Sequence, residues 1–145
     1  MSKVKEPEVY YGPLGKYESS FTDPLRMVAF ANKGLPASSF DDLIHISCQS
    51  REAFAGKLNI SLKTIDRYKK DGKSLDPLMS ELILKWMQLY HKGVEIFGNV
   101  VSFNRWLEKP AYGLQGMHPE TLISTSSGVS LVIDEICRIE HGDLS

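Results

Sequence analysis

Residues able to carry redox or metal chemistry are few in this chain, and they are scattered. Its 145 residues include two cysteines, Cys48 and Cys137, and four histidines, His45, His91, His118 and His141. Neither cysteine has a CxxC partner and no two histidines stand at helical spacing, so the ligand sets of a zinc site are missing and no metal is expected. The cysteines fall far apart in apolar helical patterns, which reads as two buried thiols rather than a disulfide. No run of eighteen apolar residues occurs, so no membrane helix is expected. The opening MSKVKEPEVYYGPLGKYESS has no apolar leader core, which predicts a flexible arm over residues 1–20 and a cytoplasmic location. A glycine-rich phosphate loop and a GxSxG elbow are also absent. His118, Glu120, Ser126 and Ser127 form the only cluster with useful groups. With no motif around it, neither a catalytic residue nor a cofactor is expected.

Charge of one sign is lacking only in the sum. The net charge is −1, yet from Arg51 to Lys73 seven Lys/Arg face three acids, a net of +4. From Glu95 to Ser145 three face seven, a net of −4. A basic stretch suits phosphate and an acidic end suits a basic protein surface; the alternative is two solvated helix faces. A hydrophobic content of 42% suffices for a core without disulfide staples.

Punctuation along the chain is helical throughout. Asp23-Pro24 opens a helix that Gly34 ends, Ser38 or Ser39 caps a second to Ile46, and Ser50 caps a third to Leu58. Ser61 caps the next, stopped by Asp71-Gly72. From Asp76-Pro77 the longest pattern runs to Phe97, with apolar residues at three- and four-residue intervals, until Gly98-Asn99 interrupts it. A short helix carries Trp106-Leu107, Lys109 to Gly116 is a loop, Pro119 opens a short helix, and Ser126 or Ser127 caps a last one that stops at Gly142. No segment alternates over five residues, so the fold class is all-α.

The stretch LNISLKTIDRYKKDGKS, Leu58 to Ser74, meets the demands of a helix-turn-helix. Two steeply crossing helices need a small residue at their contact, here Ala55, and a turn residue tolerant of positive φ four later, here Asn59. Ile60 plugs the turn, and Ile65 and Tyr68 face inward. Outward lie Lys63, Arg67 and Lys70 at i, i+4, i+7, with Lys69 alongside and Ser61 and Thr64 near the helix start. Hydroxyls and a helix N-terminus favour phosphate, and Arg67 could grip a guanine edge. The alternative is an amphipathic helix whose lysines face water. A helix-turn-helix normally dimerises over two half-sites. The long helix, through Leu82, Trp86 and Tyr90, has apolar surface to spare for that homodimer, or is an ordinary core helix.

In the carboxyl-terminal part a series of short motifs follows in order: Phe97-Gly98, Trp106-Leu107 with Pro110, Leu114-Gln115-Gly116 with Pro119, Leu122-Ile123 with Thr125, Gly128, and Arg138-Ile139-Glu140 with Gly142. These motifs closely resemble the toxin-binding domain of the Xre/MbcA/ParS antitoxins. The resemblance is dense from Val94 to Gly142, and Thr64 to Arg67 is similar to the family's helix-turn-helix. It implies a type II antitoxin, not an enzyme, that binds and silences a NAD-consuming RES-domain toxin and represses its own operon. The implied organisation is an arm at 1–20, an Xre/Cro-like helix-turn-helix bundle at 21–75 and a connecting or dimerisation helix at 76–98. A small helical toxin-binding domain follows at 99–145. The expected partners are the toxin, operator DNA and a second copy, within a larger hetero-oligomer. The alternative is a free-standing repressor without a toxin.

Most motif residues have structural roles that need no toxin: Trp106 and Leu107 as core, the prolines as loop and helix starts, Gly116 and Gly128 for turns or close approach. The last turn and tail, Arg138, Glu140, His141, Gly142, Asp143, Leu144 and Ser145, are the expected toxin contacts. A pocket that consumes NAD must offer cations or donors for pyrophosphate, which an acidic tail could occupy, with Glu140 and Asp143 as mimics. The competing reading has Arg138 and Glu140 pair and cap the last helix while the tail frays.

Overall fold

The computed structural model describes residues 8–142, and among them the fold is all-α, as the periodicity predicts. The helices are α1 (Glu8–Phe21), α2 (Pro24–Lys33), α3 (Ser38–Ser47), α4 (Arg51–Leu58), α5 (Leu62–Asp71), α6 (Pro77–Phe97), α7 (Val100–Leu107) and α8 (Ser126–Glu140). Two short 3-10 turns, Tyr112–Leu114 and Pro119–Thr121, lie between α7 and α8. Among the described residues the extended pairing is one isolated antiparallel bridge between Pro36 and Ser74. Among the described residues no helix is long and apolar enough to cross a membrane.

Side-chain caps set most helix starts. Asp23, Ser50, Ser61, Asp76 and Asn99 each accept a hydrogen bond from a backbone N–H in the first turn, satisfying donors that have no partner within the helix. The last helix is capped by Thr125 rather than by Ser126 or Ser127: its hydroxyl accepts from the Gly128 N–H. One residue of offset decides this, because Thr125 keeps the extended backbone a cap needs while the serines are already helical.

α6 is the axis of the molecule, packing against α1, α2, α3, α7 and α8. Ile83, Leu84, Trp86, Met87, Leu89 and Tyr90 are almost completely buried and cover a broad face of the helix, while Leu78 near its start and Glu95 near its end stay exposed. Trp86 and Tyr90 therefore cannot be dimer contacts; the apolar surplus of this helix is taken up by the chain's own other helices, and only Leu82 of the three keeps partial exposure. The Trp86 indole N–H donates to the Ile123 carbonyl at 2.7 Å, and its ring lies 4.7 Å from that of Phe54. One side chain thus ties α4 to the segment before α8. Asn104 works likewise, donating to the Ser47 carbonyl and accepting from the Tyr90 hydroxyl. Buried residues from Leu14 to Ile136 form one cluster, so the segments divided at 75/76 and 98/99 share a single core.

Two further expectations are corrected. Residues 8–20 of the expected flexible arm belong to α1, whose Leu14, Tyr17 and Phe21 are buried at i, i+3, i+7. The Tyr17 hydroxyl donates to Asp42 at 2.6 Å, and Gln88 donates to the Phe21 carbonyl at 2.9 Å. Cys48 is exposed rather than buried, because it ends α3 in the left-handed conformation (φ 56°), and Cys137 is half-buried; both are free thiols.

Gly128 is required by close approach. A Cβ there would overlap the carbonyl oxygen of Leu122, a backbone atom that cannot swing aside. Gly128→Ala is therefore expected to destabilise the fold by about 3 kcal/mol, the upper end of the usual cost of overpacking. Urea denaturation checks this; a midpoint equal to that of the parent chain would contradict the contact.

Candidate functional site

The basic face is built on α4 and α5. Asn59 adopts φ 57°, and the Ile60 N–H reaches back to the Ala55 carbonyl at 3.1 Å, closing α4 and turning the chain into α5 within three residues. Ala55 and Ile65 are buried and Tyr68 half-buried on the inner side. The Ser61 hydroxyl accepts from the Thr64 N–H at 3.0 Å and donates to the Thr64 hydroxyl at 2.8 Å. Those two hydroxyls thus organise the helix start.

Lys63, Arg67 and Lys70 are exposed, and among the described residues no acid pairs with them. The Arg67 guanidinium lies 5.8 Å from the centre of the Tyr68 ring. Lys73, outside the expected set, lies over the same ring at 4.5 Å. It sits just past the stop at Gly72, and its place in the charge run was the available signal. Lys69 is different, since its ammonium pairs with Asp41 of α3. Arg51 of α4 completes this network, bonding Asp66 at 2.7 Å and standing 3.6 Å from Asp41, an ion-pair distance too long for a hydrogen bond. The hydrogen bond from Arg51 holds the Asp66 carboxyl below its usual range, so this acid on the recognition-like helix is charged but partnered. Three helices are cross-linked at the edge of the basic face, and Lys69 is less available than its neighbours.

At the other end, the last turn of α8 is fastened to the body. Lys92 of α6 lies 3.0 Å from Glu140, whose hydrogen bond raises the lysine pKa. Arg138 donates from Nε and Nη2 to one oxygen of Glu135, at 3.0 and 2.7 Å. Arg138 and Glu140 therefore do not pair with each other; each has a different partner. His141 and Gly142 are exposed, with Gly142 at φ 76°. Asp143, Leu144 and Ser145 lie outside the described residues.

Two of the four side chains considered for chemistry, His118 and Ser126, are engaged elsewhere. A ring nitrogen of His118 lies 2.7 Å from the Glu108 carbonyl, Ser126 donates to Glu81, and the Glu120 carbonyl accepts from Lys57. No hydrogen-bonded relay links a serine to the histidine among the described residues.

Residues 92–142 match the model of a protein family described as the antitoxin Xre/MbcA/ParS C-terminal toxin-binding domain. A protein named Antitoxin Xre from Photorhabdus laumondii is 26% identical over 118 residues, 81% of this chain and 80% of that protein. Another Antitoxin Xre, from Yersinia enterocolitica, is 29% identical over 87 residues, 59% of either chain. The family match begins within the last turns of α6 and contains every motif from Phe97-Gly98 to Gly142. The resemblance to the Xre-type antitoxins is borne out, and the matches support an antitoxin with a toxin protein as its partner.

Proposed function

We propose that this antitoxin neutralises a NAD-consuming RES-domain toxin with its carboxyl-terminal region and represses its own operon through α4, the Asn59 turn and α5. The observation that carries the first half is the match of residues 92–142 to a toxin-binding domain. The second half rests on the short turn between α4 and α5 and on the unpaired cations beyond it. Lys63, Arg67 and Lys70 point away from the core on the helix whose inner face is Ile65 and Tyr68, where a helix in a major groove needs its contacts. Ser61 and Thr64 hold the start of that helix, and Lys69, paired with Asp41, has a lesser part. A homodimer belongs to this reading because two half-sites need two copies. Leu25, Val28 and Leu78 are exposed apolar side chains available to it, in place of Trp86 and Tyr90.

In the toxin-facing half, Glu140 is neutralised by Lys92. To enter a pocket shaped for pyrophosphate Glu140 would first have to leave Lys92, and Asp143 is the second acid of this reading. Deleting Asp143 to Ser145 tests this in cells that co-express the proposed RES-domain toxin. The expected outcome is that NAD falls although the truncated chain is folded and abundant. NAD held at the level given by the intact chain would remove the tail from the mechanism.

A further inference from the structure

Beyond the tail, the toxin-binding part of the chain leaves a set of large apolar side chains uncovered. Among the described residues, Tyr112 is 79% exposed, Leu131 53% and Met117 48%. Tyr112 opens the first 3-10 turn, and the Ala111 N–H donates to the Met117 carbonyl at 3.0 Å, bringing Met117 back beside it. The next residue, Gly113, is seated against α8 so closely that a Cβ would overlap the Glu135 carboxylate. Leu131, Glu135 and Arg138 stand at i, i+4, i+7 on α8, so they form one stripe under that turn. Glu135 is buried and anchors the Arg138 guanidinium through two of its nitrogens, while the arginine side chain keeps 43% exposure. Exposed Tyr112 and Met117 flank a turn, and exposed Leu131 and the Glu135-anchored Arg138 lie on a helix stripe, and the turn and the helix meet where Gly113 approaches Glu135.

We propose that Tyr112, Met117, Leu131 and Arg138 form a docking ledge for the toxin, a second contact in addition to the tail. The inference rests on the toxin-binding reading above. Three observations favour the toxin as occupant: the ledge lies wholly within the residues that match a toxin-binding domain, its stripe continues along α8 toward the tail, and it pairs exposed Tyr with a fixed Arg. Those two residue types dominate the energetics of protein interfaces because they bring large area with little entropy to lose. The matching toxin surface is apolar with a carboxylate facing Arg138. Gly113 and Glu135 act as positioning residues, setting the turn and the guanidinium without touching the toxin.

The test is titration calorimetry of the full chain against the proposed RES-domain toxin, with Tyr112→Ala and Leu131→Asp as variants. Both positions are exposed, so folding, read by circular dichroism, and binding to DNA from upstream of the gene are expected to be unchanged. Toxin affinity is expected to fall about 30-fold for Tyr112→Ala, the size of an interface hot spot, and at least as far for Leu131→Asp. If both variants bind the toxin within about threefold of the parent chain, the ledge is wrong and the toxin-binding reading stands. If the parent chain itself does not bind, the toxin-binding reading fails and the ledge with it.

Discussion

Replacing Trp86 by alanine is expected to lower the melting temperature by about 10–20 °C and to abolish toxin and DNA binding together at 37 °C. The side chain is fully buried, so its removal carries the usual cost of about 3–5 kcal/mol for deleting a buried aromatic. For a chain of this size each kcal/mol shifts the midpoint by roughly 3–4 °C. The loss is a large part of the about 5–15 kcal/mol that holds a domain folded. The substitution also leaves the Ile123 carbonyl without its indole donor and removes the ring packed on Phe54, so both ends of the chain are disturbed at once. Calorimetry should show one transition moving as a unit. Two separate transitions, with only one displaced by the substitution, would contradict the shared core.

The second large effect is on DNA. Arg67→Ala is expected to weaken binding to the operator by about 1–3 kcal/mol and to relax its sequence preference, as loss of a bidentate contact to a base does. Lys63→Ala and Lys70→Ala should weaken all sequences alike. Each should flatten the dependence of log K on log salt by about one unit, because each releases one phosphate contact with its counterions. Lys69→Ala should change the slope less than either, since its ammonium already has Asp41 as partner. Fluorescence anisotropy between about 50 and 200 mM salt separates these cases. Equal affinity and equal slope for all four variants would remove α5 from the groove.

Much of the fold could be read from local chemistry. Asp23-Pro24, Ser50, Ser61 and Asp76-Pro77 announce helix starts because capping is a matter of two or three neighbouring residues. Asn59 announces the left-handed turn for the same reason. The first helix is not legible locally because Gly12, Pro13 and Gly15 are poor helix formers, and packing of Leu14, Tyr17 and Phe21 overrides them. Periodicity established that α6 is apolar, but whether its surplus faces a second copy or the chain's own α1, α2 and α8 depends on tertiary contacts. The same holds for the candidate site. Lys63, Arg67 and Lys70 follow from helical spacing, whereas the ties of Lys69 to Asp41 and of Glu140 to Lys92 join residues 28 and 48 positions apart. No local pattern records such pairs. The exposure of Tyr112 could be suspected only once Gly113 was seen pressed against Glu135.

The most direct measurement is co-purification of the full chain with the proposed RES-domain toxin, for the parent and for the combined Lys63→Ala, Arg67→Ala, Lys70→Ala variant. The expected result is a stable complex in both cases, with cellular NAD preserved, while DNA binding is lost only in the variant. Absence of a complex with the parent chain, or loss of the complex in the variant, would contradict a protein that holds its toxin and its DNA on separate faces of one core.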